Sequence, residues 1–119
     1  MRTLSPIACL AGALLLSGLT LGIARADFQT GGTLLQNCAK ADDDVALAYC
    51  IGYMTGIADA IGNGDEEISY WQACLPEETT QGEIFEKLKA WLADHPQNAD
   101  VAASDNIAQG LAALYPCSK

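Results

Sequence analysis

The stretch DDDVALAYCIGYMTGIADAI, residues 42–61, decides the fold of this chain. Its large apolar side chains recur every three or four residues, which places them on one side of an α-helix: Leu47, Cys50, Met54, Ile57 and Ile61. The three aspartates at its start provide an N-cap and first-turn carboxylates, which the positive end of a helix dipole favours. The stretch therefore predicts a long helix with one buried face.

Helical spacing also predicts three further helices. Their approximate ranges are residues 28–39, 80–95 and 99–114. Phe28, Leu34 and Leu35 are expected to face inward in the first of them, and Thr80 with Glu83 forms a capping box for the third. An unusually long loop lies between the second helix and the third. The sequence thus predicts an all-α fold, a small single-domain bundle of about four helices.

The first 26 residues have the pattern of a secretory signal peptide. A positive start precedes an almost wholly apolar run, residues 7–23, and residues 24–26 (ARA) form an A-x-A cleavage site. Cys9 lies before most of this run, whereas a lipoprotein cysteine directly precedes the cut. We expect residues 1–26 to be cleaved and residues 27–119 to form a soluble exported domain, without stable membrane insertion.

Four cysteines remain in that domain: Cys38, Cys50, Cys74 and Cys117. An even number in an exported domain predicts two disulfides, which persist outside the reducing cytoplasm. Four cysteines allow three pairings. We favour Cys38 with Cys50, which joins the first helix to the second, and Cys74 with Cys117, which fastens the long loop to the C-terminus. Neither a Cys-x-x-Cys pair nor a Cys/His cluster indicates zinc, so no metal site is predicted.

The chain is strongly acidic. Its six basic and fifteen acidic residues give a net charge of −9, and loss of the two arginines in the signal peptide leaves −11. A nucleic-acid ligand is excluded, because binding phosphates needs a basic surface. Acidity favours association with a basic partner, although charge that merely keeps the domain soluble is an alternative explanation.

The long loop is the first candidate for partner binding. It carries two aromatic residues of the kind found at interface hot spots, Tyr70 and Trp71, after the acidic run Asp65, Glu66 and Glu67. Such a loop suits a basic or polar cleft in another protein. The alternative is that Trp71 folds back and covers the core.

Gly52, Gly56 and Asp59 form a stripe on the second helix, spaced four and then three residues apart. Each glycine costs up to about 1 kcal/mol of helix propensity relative to alanine, so close approach of another backbone would explain them. We expect that backbone to be the first or fourth helix of the same chain. A dimer or partner contact is the alternative.

Catalysis is not indicated. The one histidine, His95, precedes a proline at a helix end, where a capping role is expected, and no serine lies in a G-x-S-x-G turn. The acidic runs 42–44 and 65–67 lack the ligand spacing and central glycine of an EF-hand. We therefore predict no catalytic residue and no cofactor.

The order and spacing of short pieces along nearly the whole mature chain resemble a known family. These pieces are Phe28, Gly31, Leu34-Leu35, Cys38, Cys50-Ile51-Gly52-Tyr53, Gly56, Asp59, Cys74-Leu75-Pro76, Thr80-Gln81, Trp91-Leu92, His95-Pro96, Leu111, Leu114 and Tyr115-Pro116-Cys117. They resemble the Rap/Tai immunity proteins of bacterial type VI secretion, periplasmic antidotes to peptidoglycan-cutting amidase toxins. The resemblance implies a helical, disulfide-bonded periplasmic domain, often dimeric, that blocks a toxin's active site without catalysis.

Two other functions are compatible with the sequence. Small helical periplasmic proteins can act as acid-stress chaperones, since protonation of their carboxylates exposes apolar surface. A small exported enzyme with a pair of carboxylates across a cleft is the other alternative.

Overall fold

The computed structural model describes residues 28–118, and the predicted signal peptide, residues 1–26, lies outside them. In chain order the elements are α1 (Gly31–Cys38), α2 (Asp44–Ile61), α3 (Gln81–Asp94), a 3-10 helix (Pro96–Asn98) and α4 (Ala103–Leu114). Within the described residues, β-structure is limited to isolated bridges. The predicted all-α fold of about four helices is therefore confirmed.

Helices α1 and α4 begin a few residues later than the sequence predicted. The side chain of Thr30 caps α1, and the N–H of Gly31 donates to the carbonyl of Val101 at 2.9 Å. The segment before α4 thus satisfies a backbone donor of the first turn of α1, which has no partner inside its own helix. Phe28 consequently precedes the helix and is 98% exposed, so its predicted inward position is wrong.

The core is formed by one face of each helix. Leu34 of α1, Met54 of α2, Leu88 of α3 and Ile107 of α4 are completely buried, and α2 contacts each of the other three α-helices. Of the stripe predicted for α2, three residues are completely buried and two pack against the core while partly exposed: Cys50, Met54 and Ile61, then Leu47 and Ile57. The stripe is confirmed as the central part of the core.

Helix α2 is predominantly apolar along its whole length. With a mean hydropathy of 1.2 over 18 residues, it is long and apolar enough to cross a membrane, a criterion that core helices of soluble proteins also meet. Only 22% of those residues are buried. Of the large apolar side chains of α2, those of Val45 and Tyr49 are exposed, and the others are buried or pack against the core.

Two disulfides fasten the bundle. Cys38 and Cys50, with Cα atoms 5.3 Å apart, join the end of α1 to α2. Cys74 and Cys117, 4.9 Å apart, join the long loop to the C-terminal segment. Of the three pairings that four cysteines allow, the predicted one is confirmed. The first bridge is buried in the core, and the second is partly exposed at its edge.

The C-terminal segment is also held against α3. The Tyr115 hydroxyl donates to Glu83 Oε1 at 3.2 Å, and Lys87 Nζ lies 2.7 Å from the same oxygen. Lys87 also lies over the Tyr115 ring, 5.0 Å from its centroid. The hydrogen bond from Lys87 holds the pKa of Glu83 below its usual value.

Candidate partner-binding surface

The predicted long loop folds into a hairpin, residues 63–74, hereafter the hairpin loop. At its base Asn63 and Cys74 form an isolated antiparallel bridge. Near its tip Ile68 and Trp71 exchange two backbone hydrogen bonds of 3.1 and 2.9 Å. Backbone pairing and the disulfide of Cys74 thus give this segment a defined shape, although it contains isolated bridges rather than regular β-strands.

The tip of the hairpin loop consists of Ser69 and Tyr70. Both have left-handed backbone, with φ of 50° and 73°, as in the type I′ turns that normally take Asn-Gly. Left-handed backbone costs a non-glycine residue roughly 1–2 kcal/mol. The Ser69 hydroxyl donates to Asp105 Oδ1 at 2.5 Å, which ties the tip to the first turn of α4. Tyr70 is consequently held outward on a strained, anchored turn, with 91% of its surface exposed.

All five residues predicted to bind a partner in this loop are exposed: Asp65, Glu66, Glu67, Tyr70 and Trp71. The three carboxylates lie on the outgoing arm of the hairpin, and Trp71, 38% exposed, begins the returning arm. Ile68 and Leu75 pack against the core, and more than half of the Trp71 surface is also covered, whereas Tyr70 is almost fully exposed. The five side chains thus form one acidic and aromatic projection.

Gly52 and Gly56 do not have the expected helix against them. A Cβ added at either glycine would meet no atom within 4 Å, and Asp59 is exposed. The reason is angular: each glycine lies two residues, about 200° of helix rotation, from the buried positions Cys50 and Met54. Both glycines therefore lie on the outer face of α2, and the expectation of an intrachain neighbour is wrong.

The exposed face of α2 continues toward the hairpin loop through residues that sequence reasoning missed. Tyr49 and Tyr53 form a tilted pair with ring centroids 6.2 Å apart. The Tyr53 hydroxyl lies beside Gln29 and Ser104, and its pKa is raised mainly by burial. Asp105, which accepts from Ser69, adjoins Ser104 on α4. The spacing of four between the tyrosines was visible in the sequence, but their proximity to α4 was not.

A family model for Rap1a immunity proteins matches residues 30–117, well over half of the chain. The chain belongs to the Rap1a immunity protein family. No curated protein matches it. Membership implies a role as the antidote to a toxin, with a cognate toxin as its partner and binding rather than catalysis as its activity. The hairpin loop and the outer face of α2 are two exposed surfaces of this Rap1a-family protein.

His95, the histidine considered above as a candidate for catalysis, has a structural role at the end of α3. His95 ends α3: its Nδ1 lies 2.6 Å from the carbonyl oxygen of Trp91, and its ring stacks on the Trp91 ring at 4.0 Å. Across residues 28–118, no group of three or more His, Cys, Asp or Glu side chains could hold a metal ion. The histidine therefore helps to end a helix, as its position before proline predicted.

A cavity of about 330 Å³ lies between α1 and the end of α3. Asn106, which lines it, is buried, and its Nδ2 donates to the carbonyl of Asn98 at 2.6 Å. A Cβ at Gly31 would overlap this amide, so the glycine is required for α1 to approach α4. Asn106 thus joins α4 to the 3-10 helix and to α1, and the cavity belongs to the packing of the bundle.

Proposed function

We propose that the mature chain is a periplasmic immunity protein that binds a peptidoglycan amidase toxin delivered by type VI secretion and covers its active site without catalysis. Family membership supports the antidote role, and the two disulfides agree with an oxidising compartment. The amidase and the periplasmic site of action come from the resemblance of the sequence to the Rap/Tai proteins.

In this proposal the hairpin tip is the part of the protein that covers the active site of the toxin. Tyr70 projects from a turn anchored at Ser69 to α4, so its backbone does not need to become ordered on binding. Binding by a preorganised loop avoids much of the entropy cost of immobilisation. The carboxylates at positions 65–67 would meet the basic or polar rim of the toxin cleft, while Tyr70 enters it.

The test requires an amidase toxin, and a reading frame beside the gene for this protein that encodes an amidase candidate is the first place to seek it. Its product is then directed to the periplasm of cells that also express the antidote. The mature chain should prevent lysis, bind the purified amidase and stop it from cleaving peptidoglycan. Tyr70→Ala with Trp71→Ala should weaken binding by about 2 kcal/mol or more and abolish protection at unchanged protein level. A chain that neither binds nor inhibits this amidase would exclude the proposal.

Two further measurements test the chaperone alternative and the oligomeric state. Suppression of aggregation of an unrelated protein near pH 2 to 3, without amidase binding, would indicate an acid-stress chaperone. Sedimentation of the mature protein with and without toxin tests the homodimer that the resemblance implies. A dimer that persists in the complex would add a second copy of the chain to the inhibitory assembly.

A further inference from the structure

We propose that the toxin-binding surface extends beyond the hairpin loop, across Asp105, to the exposed face of α2, and that it receives a toxin segment bearing an arginine or lysine side chain. This tyrosine surface consists of Tyr49, Tyr53, Tyr70 and Asp105. The inference rests on the proposed function for the identity of its occupant.

The residues of the tyrosine surface form a continuous path. The hydrogen bond of 2.5 Å from Ser69 places Asp105 against the hairpin tip at Ser69, the residue that precedes Tyr70. Asp105 adjoins Ser104, which lies beside the Tyr53 hydroxyl, and Tyr53 pairs with Tyr49 at 6.2 Å. Three parts of the chain that are distant in sequence therefore meet at one surface.

The α2 part of this surface has the composition of an interface. Val45 and Tyr49 are 80% and 49% exposed, and no charged residue lies between Asp44 and Asp59. The backbone at Gly52 and Gly56 is open, so a partner chain can approach it closely between larger side chains. Exposed apolar surface rimmed by polar groups marks interaction sites, and tyrosines are frequent hot spots there.

Charge selects the occupant. The uncharged face of α2 ends at Asp44 and Asp59. Asp105 lies at the side that meets the hairpin loop, and the carboxylates of that loop at positions 65–67 are exposed. A second copy would bring the same carboxylates and a further charge of −11 to the contact. A basic side chain can instead pair with Asp105 while it stacks on a tyrosine ring, where the negative face of the ring attracts the cation.

The open glycines provide a test that separates binding from folding. Leucine at position 56 would meet no atom of this chain at its Cβ and has the better helix propensity, so Gly56→Leu should keep or raise the melting temperature. Its side chain would occupy the space in which the toxin lies. Ala113→Leu near the end of α4 is the control, because Ala113 is exposed and lies nine residues from Ser104, about 13 Å along the axis and on the opposite side of the helix.

The experiment measures affinity for the adjacent-gene amidase by calorimetry. Gly56→Leu and Tyr49→Ala should each weaken binding by at least about 30-fold, whereas Ala113→Leu should bind within about twofold of the native chain. Equal affinities for the two leucine variants would overturn the inference. If Gly56→Leu lowers the melting temperature, Tyr49→Ala alone decides, since half of that side chain is exposed.

Failure of the proposed function is distinguishable from failure of this inference. If the native chain does not bind the amidase, the tyrosine surface is titrated with N-acetyl-arginine amide while backbone amide signals are followed by NMR. Shifts at residues 49, 53 and 105 that disappear in Asp105→Asn, and are not produced by N-acetyl-norleucine amide, would support the basic-group site. Absence of such shifts would overturn it. A native dimer that Gly56→Leu dissociates, with toxin affinity intact, would assign the surface to a second copy and overturn it too.

Discussion

Ser69 donates a hydrogen bond of 2.5 Å to Asp105 across 36 residues of sequence, and this contact holds the hairpin tip against the start of α4. Two substitutions divide its roles. Ser69→Ala removes the hydrogen bond but keeps the carboxylate, so the Ile68 and Trp71 amides should exchange hydrogen faster and toxin should bind more weakly. Asp105→Asn keeps an acceptor for Ser69 but removes the charge. Its exchange should match the native protein while its affinity falls, and equal exchange in both variants would contradict the anchoring role.

Replacing Tyr70 by glycine should separate stability from protection. Glycine adopts the φ of 73° without a Cβ penalty, so the free energy of unfolding should rise by about 1 kcal/mol. Toxin binding and protection should nevertheless fall, because the exposed aromatic side chain is lost. Denaturant unfolding and a protection assay measure the two effects. Tyr70→Phe is the control, and it should keep most of the affinity if the ring is the anchor.

The two disulfides should differ in their effect on binding. Peptide mapping of the mature protein should recover Cys38 with Cys50 and Cys74 with Cys117, with no free thiol. By chain-entropy estimates, the separations of 12 and 43 residues correspond to about 3 and about 4 kcal/mol. A Cys38→Ser, Cys50→Ser chain that still folds should keep its affinity. A Cys74→Ser, Cys117→Ser chain should lose affinity as well, since that bridge fastens the hairpin loop.

Association with the toxin should be faster at low ionic strength, because a mature charge of −11 attracts a basic cleft rim. Stopped-flow measurements between about 20 and 300 mM salt cover the range over which screening becomes strong. Glu66→Gln with Glu67→Gln should slow association more than Glu77→Gln with Glu78→Gln. The second pair of glutamates is also exposed, so its replacement removes the same charge from another part of the surface. Identical rates for the two pairs would show that only total charge matters.

Acid should loosen the contact between α3 and the C-terminal segment. The pKa of Glu83 is lowered by its hydrogen bond with Lys87, so its contribution to stability is present above the unfolded value near 4.5 and is lost as pH falls through the lowered folded value. Glu83→Gln should therefore reduce the pH dependence of unfolding below about pH 4.5. An unchanged acid titration of stability would show that this carboxylate contributes nothing.

Local pattern was sufficient for much of this fold. The stripe from Leu47 to Ile61 predicted the central helix, and the capping box at Thr80 predicted the start of α3, because both depend on residues a few positions apart. The start of α1 was misplaced because its first N–H groups bind carbonyls of the segment before α4, a contact between distant parts of the chain.

In the candidate surface too, the sequence predicted local features but not contacts between distant parts of the chain. Composition identified Tyr70 and the carboxylates before it, but not Asp105, whose contact with Ser69 exists only after folding. The stripe of Gly52 and Gly56 was recognised and assigned to the wrong neighbour. The signal was present in the sequence, because each glycine lies two residues, about 200° of helix rotation, from the predicted buried positions Cys50 and Met54.

The empty space beside Gly52 and Gly56 has a consequence for how this protein can change. Substitutions that enlarge a residue packed against the core disturb it, but at these two positions an added Cβ meets no atom within 4 Å. If the tyrosine surface binds the toxin as proposed, mutations there alter which toxin variants are recognised while the protein continues to fold. An antidote that must follow a changing toxin could thus acquire new specificity without first acquiring extra stability.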